Sequence, residues 1–139
     1  MRRELPDGYE LDDDPGRLDL VEVHRVLSTE CYWAIGRPYE LIERTAREAA
    51  RVVGLYRDGR QVGYARVVSD GLAVTYLADV YVHADHRGRG LGLELVREAV
   101  DNGPHRDLRW SLHTKDMHGL YARLGFGPPD DRAMERPPR

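Results

Sequence analysis

The chemistry of this chain centres on six residues with alternating glycines, Arg87-Gly88-Arg89-Gly90-Leu91-Gly92. Residues 77–82 are β-branched and aromatic, which predicts a strand before this segment. Apolar residues at helical spacing follow it, so a helix is predicted from about Gly90 to Asp101. A glycine-rich turn at a helix N-terminus presents several backbone N–H groups to an anion. We therefore predict a phosphate or pyrophosphate site, with backbone donors and positive charge from Arg87, Gly88, Arg89, Gly90, Leu91 and Gly92.

Two common phosphate-binding loops do not fit this segment. An ATPase-type loop needs a Lys-Ser or Lys-Thr pair after its glycines, and the only lysine of the chain is Lys115, which Asp116 follows. The dinucleotide fingerprint Gly-x-Gly-x-x-Gly is absent because Gly88, Gly90 and Gly92 alternate. What is left is Arg87-x-x-Gly90-x-Gly92 directly after a predicted strand.

This pattern resembles the acetyl-CoA-binding motif of the GCN5-related N-acetyltransferases, the GNAT superfamily. A second segment, His118-Gly119-Leu120-Tyr121-Ala122-Arg123-Leu124-Gly125-Phe126, resembles a later motif of the same family, a helix that carries a tyrosine and ends in Gly-Phe. The two motifs occur in the family's order and span about residues 77–127. The position near Thr114, where many members have asparagine, departs from the pattern.

The elements that must position these motifs can be predicted along the whole chain. Asp58-Gly59 and Asp70-Gly71 are hairpin signals between β-rich runs. The predicted order is β-α-α-β-β-β-α-β-α-β, with strands at 9–13, 52–57, 61–68, 73–82, 108–113 and between 126 and 135, and helices at 19–29, from 38, at 90–101 and from about Asp116 to Leu124. This order matches the α+β GNAT fold, a mixed, mostly antiparallel sheet flanked by helices. The resemblance implies that strands 73–82 and 108–113 splay apart to admit the thioester.

The resemblance also implies roles for individual residues. Main-chain groups of Val80 and Val82 are expected to pair with the pantetheine arm of the cofactor. Tyr121 occupies the position of the general acid, and a phenol can protonate a departing thiolate. Asp79 is a candidate general base, on the premise that burial raises its pKa. A water chain to bulk solvent and a structural ion pair with an arginine are the alternatives for Asp79.

The loop before residue 38 corresponds to the wall of the acceptor site in similar proteins. Tyr32 and Trp33 could line an acceptor pocket and Arg37 could hold an acceptor carboxylate, although core packing explains Trp33 equally well. Cys31 is interpreted as a buried or idle thiol, since direct transfer needs no nucleophile. Further polar residues offer weaker hypotheses: a zinc site without enough ligands at His83, Asp85 and His86, and a proton relay at His113 and His118.

Composition limits the class of protein. A length of 139 residues and the absence of linkers predict a single domain, 1–139. A net charge of -3 implies neither a nucleic-acid partner nor an anionic membrane, and no apolar run is long enough to cross a bilayer. One cysteine and no secretory signal predict a cytoplasmic protein, with a homodimer left open.

The sequence thus predicts an N-acetyltransferase that moves an acetyl group from acetyl-CoA to a primary amine by direct transfer, without a metal. One alternative is a non-catalytic acyl-CoA-binding sensor or regulatory module, which would need neither Tyr121 nor a base. The other is a structural domain with an empty loop.

Overall fold

The centre of the fold is an antiparallel meander of three strands, β3 (Arg51–Arg57), β4 (Arg60–Ser69) and β5 (Val74–Val82). Asp58 and Gly59, with φ of 50° and 81°, form the two-residue turn between β3 and β4, the geometry that favours this dipeptide. The computed structural model describes residues 1–138.

Three further strands complete one six-stranded sheet in the order β1-β2-β3-β4-β5-β6. β1 (Arg2–Glu4) and β2 (Tyr9–Asp12) form a hairpin that extends the meander antiparallel beyond β3. β6 (Arg109–Ser111) pairs with β5 in parallel at the opposite edge.

Helices cover both faces of this sheet. α1 (Leu20–Glu30) and α2 (Tyr39–Glu48) pack on one face over a core that includes Tyr64 and Tyr81. α3 (Leu91–Asp101) packs on the other face over a core of aliphatic residues from β3, β4 and β5. The short α4 (His118–Ala122) lies beside this second core, which Leu120 and Tyr121 contact. No helix among residues 1–138 is long and apolar enough to cross a membrane.

The predicted fold class is confirmed. The errors concern individual predicted elements near the two ends of the chain. The strand predicted between residues 126 and 135 is wrong: residues 127–138 contain no strand, since Pro128 and Pro129 lack the N–H groups that a ladder requires. The first strand, β1, was not predicted, because it has only three residues and all of them are charged. The predicted cap at Asp116 is also wrong, since α4 begins after Met117, whose N–H donates to Thr114 Oγ1.

Candidate active site

The parallel pairing of β5 with β6 is short, and we call the region beyond its end the gap. Only Val74, Thr75 and Tyr76 have partners on β6, and β5 continues unpaired on that edge to Val82. The end of this pairing at Tyr76 and Ser111 is where the predicted splay would begin. Val80 and Val82 lie on the unpaired segment, where their side chains pack against the core under α3. Their main-chain edge is available to an extended chain that lies in the gap.

A β-bulge lies at the start of this gap. Tyr64 of β4 pairs with Tyr81 and Arg66 pairs with Ala78, so two residues of β5 stand opposite one residue of β4. Asp79 takes the extra position with φ of 55°, a left-handed conformation that Asp adopts more readily than most residues.

The bulge has a consequence for the two faces of β5. Leu77 packs in the core under α3, whereas Tyr81, four residues later, packs in the core under α1 and α2. In a regular strand residues four apart share a face, so the extra residue moves Tyr81 to the other side. It also brings the Asp79 carboxylate under the loop between α1 and α2, where that loop's side chains reach it.

The loop before α3 has the conformation of an anion-binding turn. Gly88 and Gly90 have φ of 79° and 75°, and a Cβ built at either would meet nothing within 4 Å, so the space above the loop is open. Among residues 1–138, no protein acceptor receives the N–H groups of Gly88, Arg89 and Gly90. The first N–H groups of α3, from Leu91 and Gly92, also lack an intrahelical acceptor.

The two arginines of this loop differ in their contacts. Arg87 Nε donates to the carbonyl oxygen of Val82 at 2.9 Å and so fastens the loop to the end of β5. Arg89 is exposed and has no ion-pair partner among residues 1–138. The loop therefore combines N–H donors that have no protein acceptor, a helix N-terminus and a guanidinium group without an ion-pair partner in the described chain. Together they fit a pyrophosphate or another multiply charged phosphate.

Tyr121 lies on α4 and packs against the core under α3. Its ring packs at a centroid distance of 5.9 Å from Phe126, edge to face. Burial, together with a smaller effect of the Tyr32 phenol, raises the pKa of Tyr121 to about 12. The phenol is thus fully protonated near neutral pH and can act there as a general acid but not as a general base.

The loop between α1 and α2 reaches both sides of the gap. The ring of Tyr32 lies 5.5 Å from Lys115 Nζ, just before α4, whereas Trp33 Nε1 donates to Asp79 Oδ1 at 3.0 Å. Both aromatic side chains are exposed, Tyr32 by 54% and Trp33 by 41%, so neither belongs to the core.

Asp79 is the buried centre of an ion cluster. We call this group the Asp79 cluster, and it comprises Asp79, Trp33, Arg37 and Arg66. Arg37 Nη1 lies 3.0 Å from both carboxylate oxygens, and Arg66 Nε lies 2.9 Å from Oδ2. Burial opposes ionisation of Asp79, but Arg66 and Arg37 outweigh it and hold the pKa of this carboxyl below its usual value. The expected net rise of this pKa is therefore wrong, and the ion-pair alternative describes what the structure contains.

Arg66 was missed in the sequence. Its position could have been found from the Asp70-Gly71 hairpin, because the register of β4 against β5 places Arg66 opposite Ala78, next to the bulge. The bulge itself has no sequence signal of comparable strength.

The remaining polar candidates have local partners. His86 Nδ1 is hydrogen-bonded to the Tyr9 hydroxyl at 2.7 Å, and no group of three metal-ligating side chains occurs in the described part of the chain. His113 contacts the Tyr76 hydroxyl and Glu135, and α4 begins at His118. Cys31 is buried, and this burial raises its pKa to about 11.

Comparisons with known proteins agree with this architecture. Residues 19–126 match the model of the acetyltransferase (GNAT) family. A candidate acetyltransferase of the GNAT family from Xanthomonas campestris is 40% identical, with a TM-score of 0.88 over 96% of this chain and 94% of that one. A candidate acetyltransferase from Gibberella zeae is 29% identical over 85% of this chain and 78% of that protein.

One more distant structure contains coenzyme A. N-acetylglutamate synthase from Neisseria gonorrhoeae, in complex with coenzyme A and N-acetyl-glutamate, is 17% identical, with a TM-score of 0.71 over 91% of this chain and 30% of that one. At this identity the likeness concerns the fold.

Proposed function

This chain belongs to the GNAT acetyltransferase family, whose members transfer acyl groups from acyl-CoA, and on this premise we propose that it transfers an acetyl group from acetyl-CoA to a primary amine. The proposed transfer is direct, with both substrates bound at once. The observation that carries the proposal is an open, amide-lined loop at α3 that follows the unpaired edge of β5, in a chain whose α4 carries Tyr121.

The residues of this gap fit coenzyme A in order along its length. The N–H groups of Gly88 to Gly92 and the Arg89 guanidinium would hold the pyrophosphate. The unpaired edge of β5 at Val80 and Val82 would hold the pantetheine arm as an extra strand. Bound acetyl-CoA would supply the acetyl group as a thioester at the inner end of this path.

Tyr121 is the proposed proton donor for the thiolate that leaves. Its pKa of about 12 keeps the proton on its Oη until a basic leaving group develops nearby. The partly apolar surroundings of this residue limit the access of water that could compete for the same role.

Asp79 is a poor proton acceptor in this arrangement. Its two oxygens already receive donors from Trp33, Arg37 and Arg66, and its pKa is lowered rather than raised. We therefore propose that the amine loses its proton to solvent water in the gap and that Asp79 positions the two arginines.

The test of the proposed function is release of free coenzyme A from acetyl-CoA in the presence of amines, with mass spectrometry of the acetylated product. Thermal unfolding with coenzyme A measures binding separately, since a ligand at about 100 times its dissociation constant stabilises by roughly 2.7 kcal/mol. Binding without turnover of any amine would favour the sensor module, and no stabilisation would favour the structural domain.

Tyr121→Phe removes the proposed acid while keeping the ring against Phe126. We expect kcat to fall by about tenfold or more, with the Kd for coenzyme A nearly unchanged, because only the proton donor is lost. Steady-state rates and calorimetric titration measure the two effects. An unchanged kcat would exclude Tyr121 from the mechanism.

Gly90→Ala tests the loop, and the chain offers a matched control. Gly90 and Gly71 have φ of 75° and 77° and nothing within 4 Å of an added Cβ, but Gly71 lies in the turn between β4 and β5. Both substitutions should cost about 1 kcal/mol in stability. Only Gly90→Ala should weaken coenzyme A binding, by about tenfold or more, as measured by titration. Equal affinities of the two variants would contradict the site.

A further inference from the structure

The Asp79 cluster differs from the other ion clusters of the protein in how its arginines are paired. Elsewhere a partly or fully buried arginine meets two carboxylates: Arg51 meets Asp13 and Glu98, Arg17 meets Glu10 and Asp12, and Arg3 meets Glu94 and Glu98. In the Asp79 cluster each of two guanidinium groups meets only one carboxylate, and it is the same one. The cluster therefore carries one uncompensated positive charge.

Neighbouring acids do not supply the missing negative charge. Glu22 and Glu30 of α1 both pair with Arg25, and Glu135 of the C-terminal segment pairs with His113. Within residues 1–138 neither Arg37 nor Arg66 has an ion-pair partner besides Asp79. Their side chains are 20% and 16% exposed, so a ligand in the gap can reach them.

Both guanidinium groups also keep unused donors. Arg37 uses only Nη1 and Arg66 uses only Nε toward Asp79, which leaves two nitrogens of each side chain without a protein acceptor in the described chain. A guanidinium presents its N–H groups in a planar fork that matches the two oxygens of a carboxylate.

A second feature of the same place is an unpartnered hydroxyl. Tyr64 is 1% exposed, and its hydroxyl has no hydrogen-bond partner among residues 1–138. The charged groups that act on it are those of Arg66, Asp79 and Arg37. Tyr56 and Tyr81 also have buried hydroxyls without a partner in the described chain, so Tyr64 is distinguished by the charged groups around it.

We propose that Arg37 and Arg66 together form a subsite for the carboxylate of the acceptor, so that the acceptor is a small amine that also carries a carboxylate. This inference rests on the proposed function and names its substrate class. A monoanion balances the single excess charge, whereas a phosphate dianion would reverse it. Trp33 and Tyr32 would wall the carbon chain between the carboxylate and the amine, and the bulge places the subsite one residue from Val80 on the proposed path of the thioester.

The first test compares acceptors that differ in one group. Glycine, β-alanine and 4-aminobutanoate are each assayed beside the corresponding carboxamide, by coenzyme A release and product mass. For the best pair we expect kcat/KM to be about tenfold or more higher for the carboxylate, although the amine of the carboxamide is less basic and so more available. Equal or better use of the carboxamide would overturn the inference, and so would a preference for O-phosphoethanolamine over β-alanine.

The second test removes the charges. Arg37→Gln and Arg66→Gln should each lower kcat/KM for the carboxylate by about tenfold, mainly through KM, and change that for the carboxamide by less than about twofold. Arg44→Gln, an exposed arginine of α2, is the control and should change neither. An equal loss with both acceptors would indicate a structural role and overturn the inference.

A third measurement does not depend on variants that fold. Propionate should inhibit the wild-type enzyme competitively against the acceptor, and propionamide should not. Competition by both or by neither contradicts the subsite. The proposed function fails in a different way, namely when acetyl-CoA binds but no amine of either kind is acetylated.

Discussion

Two buried ion clusters lie on opposite faces of the sheet and show what the chain does with charge. On the α3 face, Glu98, whose side chain is 1% exposed, accepts from Arg3 Nε at 2.8 Å and contacts Arg51 Nη2 at 3.3 Å. Arg51 is further held by Asp13 and by the carbonyl oxygen of Glu98 at 2.8 Å. On the other face, the Asp79 cluster leaves donors unused and opens toward the gap.

The difference separates an ion cluster that fastens elements from one that can receive a ligand. The Glu98 cluster joins β1, β3 and α3, and its carboxylates satisfy its arginines. The Asp79 cluster joins the loop before α2 to β4 and β5, but its arginines are only partly satisfied. Since buried charge is costly unless it is compensated, two arginines that share a single buried carboxylate and keep unused donors indicate a function.

The largest effect should come from breaking the Glu98 cluster. Glu98→Gln leaves the nearly buried Arg51 with one carboxylate fewer, so we expect a loss of about 3–5 kcal/mol in the free energy of unfolding, measured with urea. Asp79→Asn should cost less, about 1–3 kcal/mol, since its arginines are partly exposed to water and Asn tolerates the positive φ of 55°.

The control for this contrast is Glu48→Gln, which removes an exposed partner of Arg44 and should cost less than about 0.5 kcal/mol. If Asp79→Asn destabilised the protein more than Glu98→Gln, the distinction between a fastening cluster and a receiving cluster would not hold.

A smaller effect concerns pH. The pKa of Asp79 is lowered in the folded state, so its contribution to stability is fully present above the unfolded value of about 3.9 and is lost only as the pH falls through the folded value. Asp79→Asn should therefore leave the apparent pKa of the pH–rate profile between about pH 5 and 9 unchanged. A shift of this pKa, measured from kcat/KM against pH, would restore Asp79 as the base.

The smallest effect is expected at Cys31, which borders the Asp79 cluster. Burial, with smaller effects of Glu30 and Asp79, raises the pKa of this thiol to about 11, so at pH 8 only about 0.1% is thiolate. Cys31→Ala should keep kcat within about twofold, and native protein should label slowly with thiol reagents. Loss of activity in this variant would point to a covalent route.

The fold was largely predictable because its signals are local. Asp58-Gly59 fixes one hairpin, and the apolar spacing of residues 91–100 fixes α3. The ends of the chain were not predictable in the same way. β1 is held by ion pairs of Arg3 with Glu94 and Glu98 of α3, which lie more than 90 residues away in the sequence.

The candidate site divides along the same line. The phosphate loop and Tyr121 follow from motifs that are contiguous in sequence. The environment of Asp79 does not, because Trp33, Arg37 and Arg66 come from separate elements and converge only through the bulge. The sequence identified Asp79 as a candidate but predicted the wrong direction for the shift of its pKa. The number of arginines that contact its carboxylate depends on the folded structure.

The additional residue at Asp79 reverses which positions of β5 face α3. Upstream of it, odd-numbered positions such as Leu77 pack toward α3, and downstream the even-numbered Val80 and Val82 do so. A deletion of a single amino acid anywhere between 78 and 80 would therefore exchange the environments of every later side chain in the strand. Insertions and deletions in this short segment should be selected against far more strongly than replacements, and alignments of relatives should be anchored there.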